Sequence, residues 1–236
     1  MMPSMVTFGY AFLGGILPAL IWLHFLLKED ERCPEPRTLI TIAFIAGMFA
    51  VPVVLPLETL AVSLLPEGLL VVLAWATIEE TIKFALAAIF VLWRREVNES
   101  IDLVIYMLTV ALGFAALENV LFLLEPFGAG QFLAGLATDN LRFVGSTLLH
   151  VIASSVIGFA LAFTYALPRM FRAIAALTGL ILAIALHALF NFFIIYGGGS
   201  HTLLAFFIVW TGAIVFFALF EVLKYFRYRH AAKNVC

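Results

Sequence analysis

WATIEETIKFALAAIFVLW, residues 75–93, sets Glu79, Glu80 and Lys83 inside a run that otherwise reads as hydrocarbon. Whether those charges sit in a water-borne core or in a membrane decides the fold, and the rest of the chain settles it. Of 236 residues, 64% are hydrophobic and 12% charged, where soluble domains average roughly 45–50% apolar and about 25% charged. Several apolar stretches exceed the roughly 20 residues that a helix needs to cross a bilayer, and the alternating pattern of an outer-membrane barrel is absent. The composition predicts an all-α, polytopic transmembrane helix bundle in a cell membrane, with the lipid bilayer as its solvent. A net charge of -2 without a basic stripe beside exposed aromatics excludes a nucleic-acid partner. Cys33 and Cys236, near opposite ends, provide neither a disulfide framework nor a thiolate metal site.

Seven spans are expected, at about residues 5–27, 38–64, 69–93, 101–124, 140–165, 171–196 and 201–225, with eight possible. The opening MMPSMVTFGYAFLGG lacks the basic start of a cleavable signal peptide, so it reads as a retained first span of a single membrane domain over residues 1–236. The second span holds Pro52 and Pro56, which predicts a kink or an early end followed by an interfacial stretch. Lys and Arg concentrate in alternate connections: Lys28, Arg32 and Arg37; Arg94 and Arg95; Arg169 and Arg172; and the tail from Lys224 to Lys233. The connections around Glu67, at 125–139 and at 197–201 have none, so the positive-inside rule predicts an N-out, C-in topology. Arg142 is the discordant charge, with outward snorkelling or pairing to Asp139 or Glu118 as its outlets.

Ionisable groups at membrane depth cost at least about 2.5–3.5 kcal/mol on insertion scales, so they are paired or functional by default. Glu79, Glu80, Lys83, Glu118, His150 and His187 qualify, and they fall on four different spans. Counted from the outer ends, Glu79, Glu118, His150 and His187 lie about 10, 6, 10 and 9 residues in, roughly 9–15 Å at 1.5 Å per residue. They share one level, which points to one site. Each has a polar companion: Lys83 one turn from Glu79, Asn119 after Glu118, Ser154 one turn from His150, and Asn191 one turn from His187. Two carboxylates and two imidazoles in a low-dielectric pocket activate water, by a carboxylate base or through a bound metal. Two His and a Glu with a second Glu as base is the ligand logic of zinc peptidases, assembled here from separate helices rather than from HExxH. Peptide-bond hydrolysis within the membrane is the reading these residues favour.

Four short motifs sharpen it. Glu79 to Lys83 reads as EExxK, Phe114 to Asn119 (FAALEN) as FxxxEN, His150 to Ser155 (HVIASS) as HxxxxS, and His187 to Asn191 (HALFN) as HxxxN. In this order they resemble the PrsW intramembrane proteases, a branch of the superfamily that holds the CAAX prenyl endopeptidases and bacteriocin-processing proteins. The first loop adds to the likeness: PALIWLHFLLKEDERCPEP, residues 18–36, is similar to the family's proline, tryptophan and Asp-x-x-x-Pro-Glu-Pro pattern. The resemblance covers roughly residues 18–191 and implies an endopeptidase acting on membrane-anchored protein substrates at the extracytoplasmic side, anti-sigma factors being the known kind. CAAX-type relatives commonly carry His where FAALE places Glu118, which argues against prenyl-protein processing.

The expected site is therefore Glu79, Glu80, Lys83, Glu118, Asn119, His150, His187 and Asn191. In a zinc version, Glu118, His150 and His187 ligate Zn2+, with water in the fourth position and Glu79 beside it as general base. Lys83 lies on the face of Glu79, whereas Glu80, about 100° round the helix, supports. In a metal-free version Glu79 and Glu80 activate water while His187 and Asn191 polarise the scissile carbonyl. A proton- or ion-coupled transporter is the competing class, since transporters also bury carboxylates and histidines, but no repeated halves are visible. A purely structural account makes Glu79 and Lys83 a helical ion pair and leaves Glu80 unexplained. His24, His201, the Gly197–Gly199 run and the sequon at Asn98 carry no expected chemistry.

Overall fold

Helix formation follows from the solvent: in hydrocarbon every backbone N–H needs a partner within its own segment. The computed structural model describes residues 4–28, 34–133, 143–196 and 198–231, and among them there is no strand. The helices are α1 (Met5–Leu27), α2 (Arg37–Leu64), α3 (Leu69–Ala87, prolonged by a π turn over Ala88–Leu92), α4 (Ser100–Gly128), α5 (Leu148–Phe163, entered through a π turn over Phe143–Thr147), α6 (Arg169–Tyr196) and α7 (Gly198–Ala231). Six of them are long and apolar enough to cross a membrane. This is a multi-pass membrane protein. The remaining helix, α3, carries Glu79, Glu80 and Lys83 in its middle, all buried inside the bundle and so kept from lipid.

Helix α4 is the axis. Its most apolar stretch is 89% buried, against 28% for the corresponding stretches of α1 and α7. Every residue from Ile101 to Ala116 is buried, because α1, α2 and α5 pack around it. Its start is fixed by a capping box in which Asp102 Oδ2 accepts from the N–H groups of Asn98 and Glu99. One contact explains how closely α2 approaches: a Cβ at Gly47 would lie 1.9 Å from the Val110 carbonyl oxygen, and one at Gly113 would lie 2.0 Å from that of Phe44. Both glycines are required by backbones in contact, the small-residue packing by which membrane helices associate.

Helix α2 fills its expected span, and helix α4 overruns its own. Helix α2 does not end early: it runs from Arg37 to Leu64 with Pro52 and Pro56 inside it. Each proline removes one backbone hydrogen bond, but Ala43, Gly47, Ala50, Val51 and Val54 bury one continuous face against the bundle and carry the helix through. Helix α4 continues past the expected residue 124 to Gly128, with Pro126 inside. Between α2 and α3 the chain turns at Gly68, whose φ of 116° suits glycine alone. The Gly68 N–H donates to the Tyr196 hydroxyl at 3.0 Å, tying the start of α3 to the end of α6.

Candidate active site

Helices α3, α4, α5 and α6 bring the expected polar groups together. Glu79 (5% exposed), Glu80, Lys83, His150 and His187 are all buried. Glu80 is the organiser. Its Oε1 accepts from Lys83 Nζ at 2.5 Å and from His187 Nδ1 at 2.8 Å, and its Oε2 accepts from Ser154 Oγ at 2.7 Å. Glu79, one residue away, is bound far less. Its Oε2 is buried without a hydrogen-bond partner, 3.7 Å from Lys83 Nζ and 3.8 Å from His150 Nδ1. Its Oε1 lies 3.9 Å from His187 Nε2.

The contacts fix both imidazole tautomers. An ammonium only donates, so Lys83 Nζ donates to His150 Nδ1 at 3.1 Å, which leaves His150 Nε2–H to donate to Glu118 Oε2 at 3.0 Å. Because Nδ1–H of His187 is given to Glu80, its Nε2 keeps a bare lone pair turned towards Glu79. The two rings meet edge to face at 5.0 Å, and Lys83 Nζ lies 4.5 Å over the Phe114 ring.

The remaining expected residues divide. Asn191 lines a cleft of 760 Å³ shared with Glu79, Glu118, His150 and His187. Asn119 instead turns to the side, donating from Nδ2 to Thr147 Oγ1 at 3.0 Å and so pinning the π turn that leads to His150. Ser154 serves Glu80 rather than its expected companion His150; Ser146, one turn before His150, lies 3.5 Å from His150 Nε2. The Pro-Glu-Pro stretch is not at the cluster: Glu35 accepts from the Tyr106 hydroxyl, twelve residues or about 18 Å along α4 from Glu118. Arg142, Asp139, Cys33 and Cys236 lie outside the described residues.

Sequence reading missed Glu58. It stands on α2, lines the same cleft and faces the Glu79 side chain, while Trp75 Nε1 donates to its backbone carbonyl at 3.4 Å. The available signal was a carboxylate at the same helical angle as Val51 and Val54, near the end of an otherwise uncharged span.

A divalent metal fits the donor chemistry. Glu79, His150 and His187 each offer one ligand atom within 4.8 Å of the others, His150 on condition that it gives up its bond to Lys83 or its Nε2 proton. His187 Nε2 is bare while its Nδ1 is held by a carboxylate, the outer-shell arrangement that orients metal-bound imidazoles. The orphaned Oε2 of Glu79 lacks a partner of its own. Glu118 reaches His150 from the other side.

Residues 35–223 match the model of the PrsW family of intramembrane metalloproteases. The chain belongs to this family. It is 29% identical over 152 residues to Protease PrsW of Geobacillus kaustophilus, a match spanning 62% of this chain and 63% of that relative. Protease PrsW of Clostridioides difficile is 26% identical over 188 residues, 77% of each chain, and that of Oceanobacillus iheyensis is 25% identical over 224 residues, 94% of this chain and 95% of the relative. No solved structure matches. All of the expected site residues fall within the stretch matched to PrsW.

Proposed function

We propose that the protein is an intramembrane endopeptidase that cleaves membrane-anchored proteins, with Glu79 as the base that activates water. The contrast between two adjacent carboxylates supports this reading. Glu80 spends its oxygens on Lys83, Ser154 and His187, whereas Glu79 keeps a buried oxygen without a hydrogen bond at the wall of the cleft. A group held so firmly positions others; a group left so free is suited to take a proton.

The cleft admits an apolar segment along Leu55, Leu121, Phe122, Ile194 and Ile195, all at its walls and all exposed to the lipid side. With a peptide bond seated against Glu79, Asn191 donates its amide N–H to the scissile carbonyl oxygen. Glu79 takes a proton from water as the water oxygen bonds to the carbonyl carbon, then passes that proton to the amide nitrogen as the C–N bond breaks. Glu80 keeps Lys83 and His187 in place throughout. A Zn2+ ion would be held by His150 and His187 with Glu118 as third ligand where Glu79 serves as base, although the three ligand atoms within 4.8 Å of one another are those of Glu79, His150 and His187. When bound, it supplies Lewis acidity to the carbonyl and makes water a stronger acid.

The substrate is a membrane-anchored protein of the anti-sigma-factor kind, cleaved near the extracytoplasmic face. The test is Glu79→Gln in purified, reconstituted protein presented with membrane-anchored peptides. We expect turnover to fall by about 10²–10⁴-fold with folding unchanged. Near wild-type turnover refutes the assignment, and ion flux into liposomes without any cleavage would favour a transporter. Co-purification with the inactive variant identifies the substrate.

A further inference from the structure

Away from the cleft, four arginines stand where the loop after α3 meets the start of α6: Arg94 and Arg95 from one, Arg169 and Arg172 from the other. Aromatic contacts join the two. The Arg172 guanidinium lies 5.4 Å from the centre of the Trp93 ring and 5.8 Å from that of Tyr165, and the Tyr165 hydroxyl donates to the Val97 carbonyl at 3.3 Å. Two rings thus hold one side chain whose Nε is buried without a hydrogen-bond partner. Among the described residues none of the four arginines forms an ion pair. Nearby acids are placed otherwise: Glu99 and Asp102 form the capping box of α4, and Glu96 is exposed. Arg169 stands one turn before Arg172 on the same side of α6. Further along the two spans, Ile89 on the π turn and Phe171 and Ile174 on α6 present exposed hydrocarbon.

The geometry points to a phospholipid site in which Arg172, with Arg169 one turn away, receives the phosphate of an anionic headgroup while the acyl chains lie along Ile89, Phe171 and Ile174. Nothing in it depends on the peptidase reading. A guanidinium free to move would snorkel into water, whereas one stacked between two rings is already ordered for a ligand. Its planar fork matches two oxygens of a phosphate. The ligand must carry charge at the level where the spans end and hydrocarbon beside it, and Trp93 and Tyr165 belong to the residue types that favour that level. A lipid meets both conditions, and a free anion meets only the first. Zwitterionic headgroups offer the same phosphate but bring an ammonium towards four arginines, so an acidic headgroup is preferred.

The experiment titrates the full chain, purified in detergent, with phosphatidylglycerol, phosphatidylcholine or inorganic phosphate, and native mass spectrometry reads the apparent Kd of the first molecule bound. The wild type should bind phosphatidylglycerol about tenfold or more tightly than phosphatidylcholine. In Arg172→Gln that ratio should shrink to within about twofold. Arg172→Lys keeps the charge but not the planar fork, so a weakened preference should survive in it. Lys28→Gln removes the same charge from the end of α1, a helix packed chiefly on α4, and should leave the ratio unchanged. Equal affinity for the two lipids in the wild type overturns the inference, and so does an equal loss in Lys28→Gln, the mark of diffuse surface charge. Inorganic phosphate that displaces phosphatidylglycerol at equal concentration overturns the lipid as ligand. Should Arg172→Gln fail to fold, Arg172→Lys carries the comparison: a ratio identical to that of the wild type overturns the role given to the guanidinium.

Discussion

Replacing Glu80 by Gln should unfold this protein more readily, although the change is nearly isosteric. Glu80 is fully buried and is the closest counter-charge to Lys83, itself fully buried, at 2.5 Å. After the substitution the ammonium keeps only Glu79 at 3.7 Å, the acceptor Nδ1 of His150 and the face of Phe114. The introduced amide also turns its NH2 either towards Ser154, which donates to Oε2, or towards Lys83 and His187, which donate to Oε1, according to which oxygen it replaces. Removing one partner of a buried pair costs about 3–5 kcal/mol. In a chain of this size that is a fall in Tm of roughly 6–20 °C, at about 2–4 °C per kcal/mol. Thermal unfolding in detergent, followed by tryptophan fluorescence, measures it. The double variant Glu80→Gln with Lys83→Met should recover most of the loss, because taking out both members of such a pair is often close to neutral. By contrast Glu79→Gln should cost less than Glu80→Gln, since its Oε2 has no hydrogen bond to lose. A Glu80→Gln protein as stable as the wild type, or a double variant as unstable as the single, would refute the claim that Glu80 is the organiser and leave the two glutamates interchangeable.

Three further outcomes follow from the same contacts. Gly47→Ala forces a Cβ to within 1.9 Å of a backbone oxygen on α4, which cannot rotate away; we expect a loss of about 1–3 kcal/mol or more, seen as poor recovery of folded protein by size exclusion. If zinc is the cofactor, chelation should abolish activity and stoichiometric add-back restore it. Neutral imidazoles are needed for binding, so metal affinity should fall as pH drops below about 6–7; full activity in metal-free protein favours water activated by the glutamates without it. For the N-out, C-in orientation, a single cysteine at Glu67 should react with an impermeant reagent on intact cells and one at Glu96 should not, both positions being exposed ends of loops. Reversed labelling overturns the orientation.

The sequence by itself determined the class, the helices and most of the polar groups that meet at the cluster, because each is written in one dimension. A bilayer leaves the backbone no alternative to the helix, and the free-energy cost of a charge in hydrocarbon marks Glu79, Glu80, Lys83, Glu118, His150 and His187 wherever they fold. The tertiary structure decided what each group does. Glu79 and Glu80 are neighbours in an apolar run, separated only by about 100° of helix rotation, and which one is tied down depends on Ser154 and His187 arriving from α5 and α6. The same holds for Asn119, drawn away by Thr147, and for Glu58, a lone acid near a span end until α2 packs it opposite Glu79. Helix α2 shows the limit from the other side: its prolines read locally as a kink or an early end, yet it continues because Gly47 and Gly113 let two backbones touch and bury a whole face. Propensity and hydropathy act along the chain, whereas hydrogen-bond partners and close packing are supplied across it.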